Sequence, residues 1–402
     1  MVKVLGVLGD GPLVAFADGY RCYLNQRGYS RRAARERLEL LGQLSLWLVA
    51  QGLPVAELTQ VHAQRFFAIR RAAGQRRVPT LQTLAPLFDY LRDEQVLPVE
   101  QPQATRLEDL LIRYGHYLEH DRGLAPLTVV RYQRMARRFL VRRVSRNGGE
   151  TGAEGLDASE VHGYLLECCS RLVIESAKRE AADLRALLRF LYLQGLTATD
   201  LGSSMPPVAG WRDTRLPATM SATQIAGLLD SCDRSRPSGL RDFAILNLLG
   251  GLGLRSGEVA ALQLTDIDWR VGEIWVRGKA LRDDRLPLTV DVGEAIASYL
   301  RDGRPPSPSS SVILTCYAPF RGIHPSSITG IVYRACRRAG LPPIGGHRLR
   351  HALATEMLRQ GSNLLEISQV LRHRDLATTS AYAKLDRAAL RTVARSWPGA
   401  ER

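Results

Sequence analysis

From Tyr20 to Thr197 apolar residues recur at three- and four-residue steps with Gly or Pro at the breaks, the period of helices that each bury one face. Two stretches share more than a period. YRCYLNQRGYSRRAARERLELLGQLSLWL (Tyr20–Leu48) lies against YGHYLEHDRGLAPLTVVRYQRMARRFL (Tyr114–Leu140), matching Tyr23-Leu24 to Tyr117-Leu118. Arg27-Gly28 then falls on Arg122-Gly123 with one residue inserted, and Leu40 and Leu44 fall on Met135 and Phe139. Each copy closes in a similar helix, LFDYLRDEQVLP (Leu87–Pro98) and LLRFLYLQGLT (Leu187–Thr197), so the pattern reads as one helical module used twice. Residues 197–219 are rich in Pro, Gly, Ser and Thr and read as a linker. Beyond them the pattern predicts two helices, then GEIWVRGK and DRLPLTV as neighbouring strands joined at Ala280–Asp284, a loop at 303–311, and a mainly helical remainder. The expectation is a mainly α chain with a small β-sheet, divided into 1–100, 105–196, the linker 197–219, and 220–402.

Length and composition narrow the class. Four hundred and two residues suggest two or three domains, and 45% hydrophobic content excludes wholesale disorder. No apolar run reaches the ~18 residues of a membrane span, and the apolar N-terminal patch meets Asp10 too soon for a signal peptide. Six cysteines with no Cys-x-x-Cys point to neither a disulfide framework nor a zinc knuckle. A cytoplasmic protein is expected, with no membrane partner.

Charge points to a partner. Fifty-five basic residues against forty acidic ones leave +15, an excess that gathers polyanions such as nucleic acid. Eight arginines and no acid lie between Asp121 and Glu150, with Arg131, Arg134 and Arg138 on one helical face. Like charges that close are costly unless an anion neutralises them, so these three are candidate phosphate contacts. Lys3, Lys178, Lys279 and Lys384 are the only lysines; codon bias explains the scarcity, yet each survivor invites a question.

Four elements carry candidate chemistry. GHRLRH (Gly346–His351) spaces His347 and His351 as a metal pair, but Arg348 and Arg350 oppose a divalent ion and suit an anion. In GLGLRSGEVAALQLTDIDW (Gly251–Trp269), Arg255 sits among small residues with Glu258 able to orient its guanidinium, though an ordinary helix-end ion pair reads the same way. No Gly-Lys-Ser/Thr follows, so nucleotide hydrolysis has no support. WVRGKALRDDRLPL places Lys279 on the inferred turn, as a proton donor or a solvated turn residue. LRHRDLATTSAYAKL brings His373 nine residues before Tyr382 among short side chains.

In order and approximate spacing, Arg255, Lys279, His347, Arg350, His373 and Tyr382 resemble the tyrosine recombinase (lambda-integrase-like) family. GLRSGEVAAL is similar to that family's box I, HRLRHALAT to its His-x-x-Arg motif, and LRHRDLATTSAYAKL to its nucleophile box. The likeness is strong over 220–402 and weaker over 105–196, which is similar to the helical, SAM-like core-binding domain; 1–100 is an extra helical module. Two departures stand out: Ala280 follows Lys279 where the family often has Gly, and Arg282 and Arg285 replace its Lys-x-Arg.

The resemblance implies a mixed α/β catalytic domain that cleaves and rejoins DNA through a 3′-phosphotyrosyl intermediate, without metal or other cofactor. It implies Tyr382 as nucleophile and Arg255 and Arg350 on the non-bridging oxygens. Lys279 then protonates the leaving 5′-oxygen, His347 handles the tyrosine proton, His373 bonds the phosphate, and Glu258 supports Arg255. Arg282 and Arg285 join the DNA contacts. It further implies double-stranded DNA as partner, a homotetramer on DNA, and other recombinases of the same mobile element as companions, for integration, excision or transposition. A type IB topoisomerase-like enzyme and a non-catalytic DNA-binding partner are the alternative readings.

Overall fold

A computed structural model describes residues 11–75, 78–98, 105–208, 220–277 and 283–372. The chain divides into two compact units, one of residues 99–214 and one joining 1–98 to 215–402. Among the described residues it is mainly helical with one three-stranded sheet, and no helix is long and apolar enough to cross a membrane.

Residues 11–98 form α1 (Ala17–Gln26), α2 (Arg31–Gln51), α3 (Gln60–Ala72) and α4 (Leu81–Asp93). The other unit repeats the order as α5 (Arg106–His116), α6 (Pro126–Asn147), α7 (Ala158–Arg171) and α8 (Ile174–Leu193). The buried positions coincide. Val129, Met135, Ala136, Phe139, Leu140 and Arg143 of α6 fall on Ala34, Leu40, Leu41, Leu44, Ser45 and Leu48 of α2, all buried. Ala63, Phe66 and Phe67 of α3 answer to Val161, Tyr164 and Leu165 of α7, and Leu84, Leu87, Phe88, Tyr90 and Leu91 of α4 to Leu184, Leu187, Leu188, Phe190 and Leu191 of α8. Even the aromatic pairing recurs, as Tyr20–Tyr90 with ring centroids 5.6 Å apart and Tyr114–Phe190 at 5.0 Å.

The residue inserted in the second stretch has a structural form. After α5 the chain makes a π-helical turn, Tyr117–Asp121, which absorbs one extra residue without moving the buried Leu118 off its face. The turns then realign: the Tyr29 N–H donates to the Leu24 carbonyl and the Leu124 N–H to the Leu118 carbonyl, both at 3.0 Å.

The expected linker begins too early. Leu201 and Met205 are buried in the second helical core, and Arg185 donates to the Met205 carbonyl at 3.3 Å. Two large apolar side chains anchor this Pro- and Ser-rich stretch against α8, so residues 197–208 belong to the folded unit; 209–219 lie outside the described residues.

Beyond Met220 follow α9 (Ala222–Asp230), α10 (Pro237–Gly250) and α11 (Ser256–Ala261). α10 is apolar nearly all round, and its Ala244, Ile245, Leu248 and Leu249 have no exposed surface, so it is the buried axle of this core. The antiparallel sheet runs in the order β1 (Ile267–Asp268), β2 (Glu273–Arg277), β3 (Asp283–Pro287), with Trp275 opposite Arg285. The expected strands pair and a short third one joins them; β3 opens at Asp283, inside the expected turn Ala280–Asp284, and 278–282 lie outside the described residues. Then come α12 (Val290–Ser298), α13 (Pro325–Arg338), α14 (His347–Arg359) and α15 (Leu364–Val370). Within this unit Ala318 packs against the core of α1–α4.

Candidate active site

Three corners of the fold meet here, two of them on one carboxylate. The first is the turn between α10 and α11. Gly253 adopts φ +60°, and a Cβ there would lie 2.9 Å from Leu371 Cδ2 and 3.0 Å from Leu353 Cδ2, so glycine lets this backbone press against α14 and the end of α15. Two residues on, Arg255 caps α11. Its backbone N–H donates to Glu258 Oε2 at 2.9 Å and its Nη1 to Oε1 at 2.6 Å, so the carboxylate fixes both ends of the residue.

The second corner is the start of α14. Arg350 is a fully buried charged side chain, donating through Nη1 to the Gly253 carbonyl and through Nη2 to the Leu371 carbonyl. One guanidinium thus ties segments 97 and 21 residues away in the chain to α14.

The third corner, just past α15, supplies a residue the sequence did not single out. Arg372 has φ +54°, a left-handed conformation costly for a residue with a Cβ. Its side chain is 7% exposed, donates through Nη2 to Glu258 Oε2 at 2.7 Å, and lies 3.7 Å from Asp284 of β3. Its carbonyl accepts from Arg255 Nη2 at 3.5 Å. Only the backbone angle marks it, because an arginine in a helical tail of an arginine-rich chain carries no signal by type.

Electrostatics follow from this crowding. Burial pushes the Glu258 carboxyl up, but the Arg255 N–H, the Arg372 charge and the Arg255 guanidinium outweigh it and hold the group below the usual carboxylate range. The His347 and His351 rings meet edge to face, centroids 4.4 Å apart. Desolvation and the charges of Arg350, Arg255 and Arg348 hold His347 below the usual imidazole value. Desolvation, His347 and the same α14 arginines push His351 down to about 4. Both rings are therefore neutral at pH 7, and His347 can accept a proton.

The structure brings Arg255, Glu258, His347 and Arg350 together around this junction. Lys279, Arg282, His373 and Tyr382 lie outside the described residues. Arg285 stacks its guanidinium 4.0 Å over the Trp275 ring and lies 3.7 Å from Glu273. Among the described residues no group of three His, Cys, Asp or Glu is placed to hold a metal ion.

The arginine face of α6 needs a correction of premise. Its charges are neutralised inside the fold by acids on neighbouring helices: Arg131 by Asp183 at 2.8 Å, Arg137 by Glu108, Arg138 by Glu180, Arg142 by Glu167, and Arg143 by Glu160 at 2.7 Å. An outside anion is not required to make this cluster tolerable. Arg134 stays exposed and makes no ion pair among the described residues.

Comparison with known proteins places this geometry. The sequence profile described as the phage integrase family matches residues 218–388. The chain is 36% identical over 396 residues to y4rA of Sinorhizobium fredii, named as an integrase/recombinase, covering 97% of this chain and 96% of that one. It is 28% identical over 285 residues to the tyrosine recombinase XerD of Lacticaseibacillus casei, covering 69% of this chain and 94% of the relative. In fold it is similar to a lambda integrase(75-356) dimer bound to a COC′ core site, with TM-score 0.52 and 18% identity over 72% of this chain and 97% of that one. XerH bound to a palindromic difH substrate gives TM-score 0.52, with 18% identity over 73% and 97%.

Proposed function

Because this chain belongs to the phage integrase family of tyrosine recombinases, an enzyme family of DNA strand breakage and rejoining, we propose that it recombines DNA at specific sites to integrate, excise or transpose a mobile element. The observation that carries this reading is the junction at Glu258, where Arg255 and Arg350, 95 positions apart in sequence, are held beside the end of α15, just before the segment that bears Tyr382. The likeness to y4rA covers 97% of this chain and so takes in the first helical module, while the XerD likeness spans 69% of it.

The chemistry is a transesterification. The Tyr382 oxygen attacks the scissile phosphorus and its proton passes to neutral His347. The bond from phosphorus to the 5′-oxygen breaks, and that oxygen leaves as a hydroxyl with a proton from Lys279. The phosphodiester energy is kept in the 3′-phosphotyrosyl ester, so no cofactor is called for, and a 5′-hydroxyl from a second duplex reverses the step to rejoin the strands. Arg255 and Arg350 stabilise the charge gathered on the non-bridging oxygens, and His373 bonds the same phosphate. Residues 105–196 clamp double-stranded DNA, with 1–100 as a second helical module and 220–402 as the catalytic domain. Exchange between two sites takes four protomers, an assembly of the kind named for a lambda integrase tetramer on a Holliday junction.

The test is trapping. DNA carrying the ends of the element, nicked beside the cleavage position so that the short strand is lost, is incubated with wild type and with Tyr382→Phe. A covalent protein–DNA band from wild type that the variant lacks is the expected result. A band from both removes Tyr382 as nucleophile, and no band from either despite specific binding overturns the catalytic reading.

A further inference from the structure

We infer that Arg372 is a positioning residue of this active site: by sharing Glu258 it leaves the charge of Arg255 available to the scissile phosphate. The inference rests on the recombinase reading above. It begins from an oddity of placement. A long cationic side chain is 7% exposed at φ +54°, a backbone state that an arginine enters only when its surroundings hold it there. What holds it is Glu258, through the 2.7 Å bond from Nη2. Its Nη1 is buried without a hydrogen-bond partner among the described residues, so the local contacts leave a cationic donor unspent.

Charge counting gives the oddity a use. Glu258 binds Arg255 through Oε1 and Arg372 through Oε2. Paired with Arg255 alone, the carboxylate would cancel the guanidinium that must face the phosphate. With Arg372 present, three guanidiniums stand against one buried carboxylate and leave two positive charges where there would be one without it; Asp284, half-exposed and 3.7 Å away, offsets the added charge only in part. A phosphodiester carries one negative charge. When a tyrosine that has lost its proton attacks it, the five-coordinate phosphorus carries two. The extra cation is therefore matched to the transition state rather than to bound DNA, so its loss should appear in the cleavage rate more than in affinity.

Arg372 also touches the site through its backbone. Its carbonyl accepts from Arg255 Nη2, while the carbonyl of Leu371 accepts from Arg350. One corner thereby sets the spacing of the two arginines, and the ion pair to Glu258 fixes that corner.

The experiment measures single-turnover formation of the covalent adduct by full-length wild type, Arg372→Gly, Arg372→Ala and Arg372→Lys. Each is run on a nicked phosphodiester substrate and on one whose scissile phosphate carries a methylphosphonate, which lowers the charge by one in ground and transition states alike. Glycine accepts φ +54°, so Arg372→Gly keeps the fold while removing the guanidinium, as its melting temperature will report. The expected result is a loss of about tenfold or more on the phosphodiester for the Gly and Ala variants alike. DNA affinity should change less, Arg372→Lys should recover part of the rate, and the variants should converge on wild type with the methylphosphonate. An equal loss on both substrates, or unequal losses for Gly and Ala, would assign the effect to structure and overturn the inference. So would wild-type rates in all variants. Absence of any wild-type adduct would instead sink the recombinase reading and this inference with it.

Discussion

Gly253→Ala is the sharpest perturbation of the arginine junction that leaves every charged group in place. The added methyl meets two costs. Alanine at φ +60° costs roughly 1–2 kcal/mol. The Cβ also falls 2.9 and 3.0 Å from Cδ2 atoms of Leu371 and Leu353, a crowding that costs about 1–2 kcal/mol more as they shift. Leu371 bears the carbonyl that Arg350 uses, and Gly253 bears the other, so relief of the clash moves both anchors of the buried guanidinium. Gly250→Ala is the matched control, since a Cβ there meets nothing within 4 Å and Gly250 ends α10; it should be neutral or stabilise by up to about 1 kcal/mol. Calorimetry of the full chain should show the transition of the catalytic core lowered by on the order of 5–10 °C in Gly253→Ala, at ~2–4 °C per kcal/mol. Adduct formation should fall by as much as ~100-fold, as for a misplacement near 1 Å. Melting and cleavage in Gly253→Ala indistinguishable from Gly250→Ala would refute the argument that this glycine sets the approach.

Two further outcomes follow from the same reasoning. In the helical modules the closing turns are alike, Val96 N–H to Leu91 O and Leu196 N–H to Leu191 O at 2.9 Å each, but the left-handed position is Gln95 (φ +58°) in one and Gly195 (φ +69°) in the other; Gln95→Gly should stabilise its module by about 0.5–1 kcal/mol and Gly195→Gln destabilise the other by at least as much, and thermal shifts of one sign for both swaps would contradict this. Cleavage should keep its full rate as pH falls through the ordinary imidazole value near 6.5 and decline only at lower pH, because His347 binds its proton late; stability should fall at still lower pH, since the depressed Glu258 carboxyl contributes above its unfolded value near 4.5 and loses that contribution as acid titrates it, so an acid limb of cleavage at or above 6.5 would count against the assignment.

The helices were legible because their period is local, and the repeat because Tyr-Leu and Arg-Gly pairs recur in matching places; that residues as unlike as Ser45 and Leu140 fill equivalent buried positions appears only in the fold. The strand pair was legible from alternation, whereas β1, two residues long, gives no periodic signal. At the site, the pairing of Arg255 with Glu258 could be read because it spans one helical turn. Arg372 could not, since its partner lies 114 residues away and its left-handed backbone has no mark in an arginine-rich sequence. Gly253 was visible as a small residue near Arg255, but only packing shows which glycine of the run the approach requires.

The arginines of α6 show why charge patterning misleads when partners are distant. Reading Asp121 to Glu150 as unneutralised treats neighbours in sequence as neighbours in space. In the folded module each of five arginines reaches an acid 17 to 52 residues away, on α5, α7 or α8. The comparison with the first module tells what these pairs replaced. Leu48, wholly buried at the end of α2, corresponds to Arg143 at the end of α6, and Arg143 is buried too. There it donates to the carbonyls of Gly152 and Glu154 and to Glu160, pinning the connection to α7. The same site in one helical scaffold is filled by transfer of an apolar side chain from water in one copy and, in the other, by a guanidinium whose two terminal nitrogens are hydrogen-bonded. Arginine in this chain therefore serves as core clamp, as interhelical ion pair and, on the function proposed above, as active-site cation. The net charge of +15 counts all three alike; only the carboxylate each guanidinium faces separates them, and at Glu258 that carboxylate is shared by two.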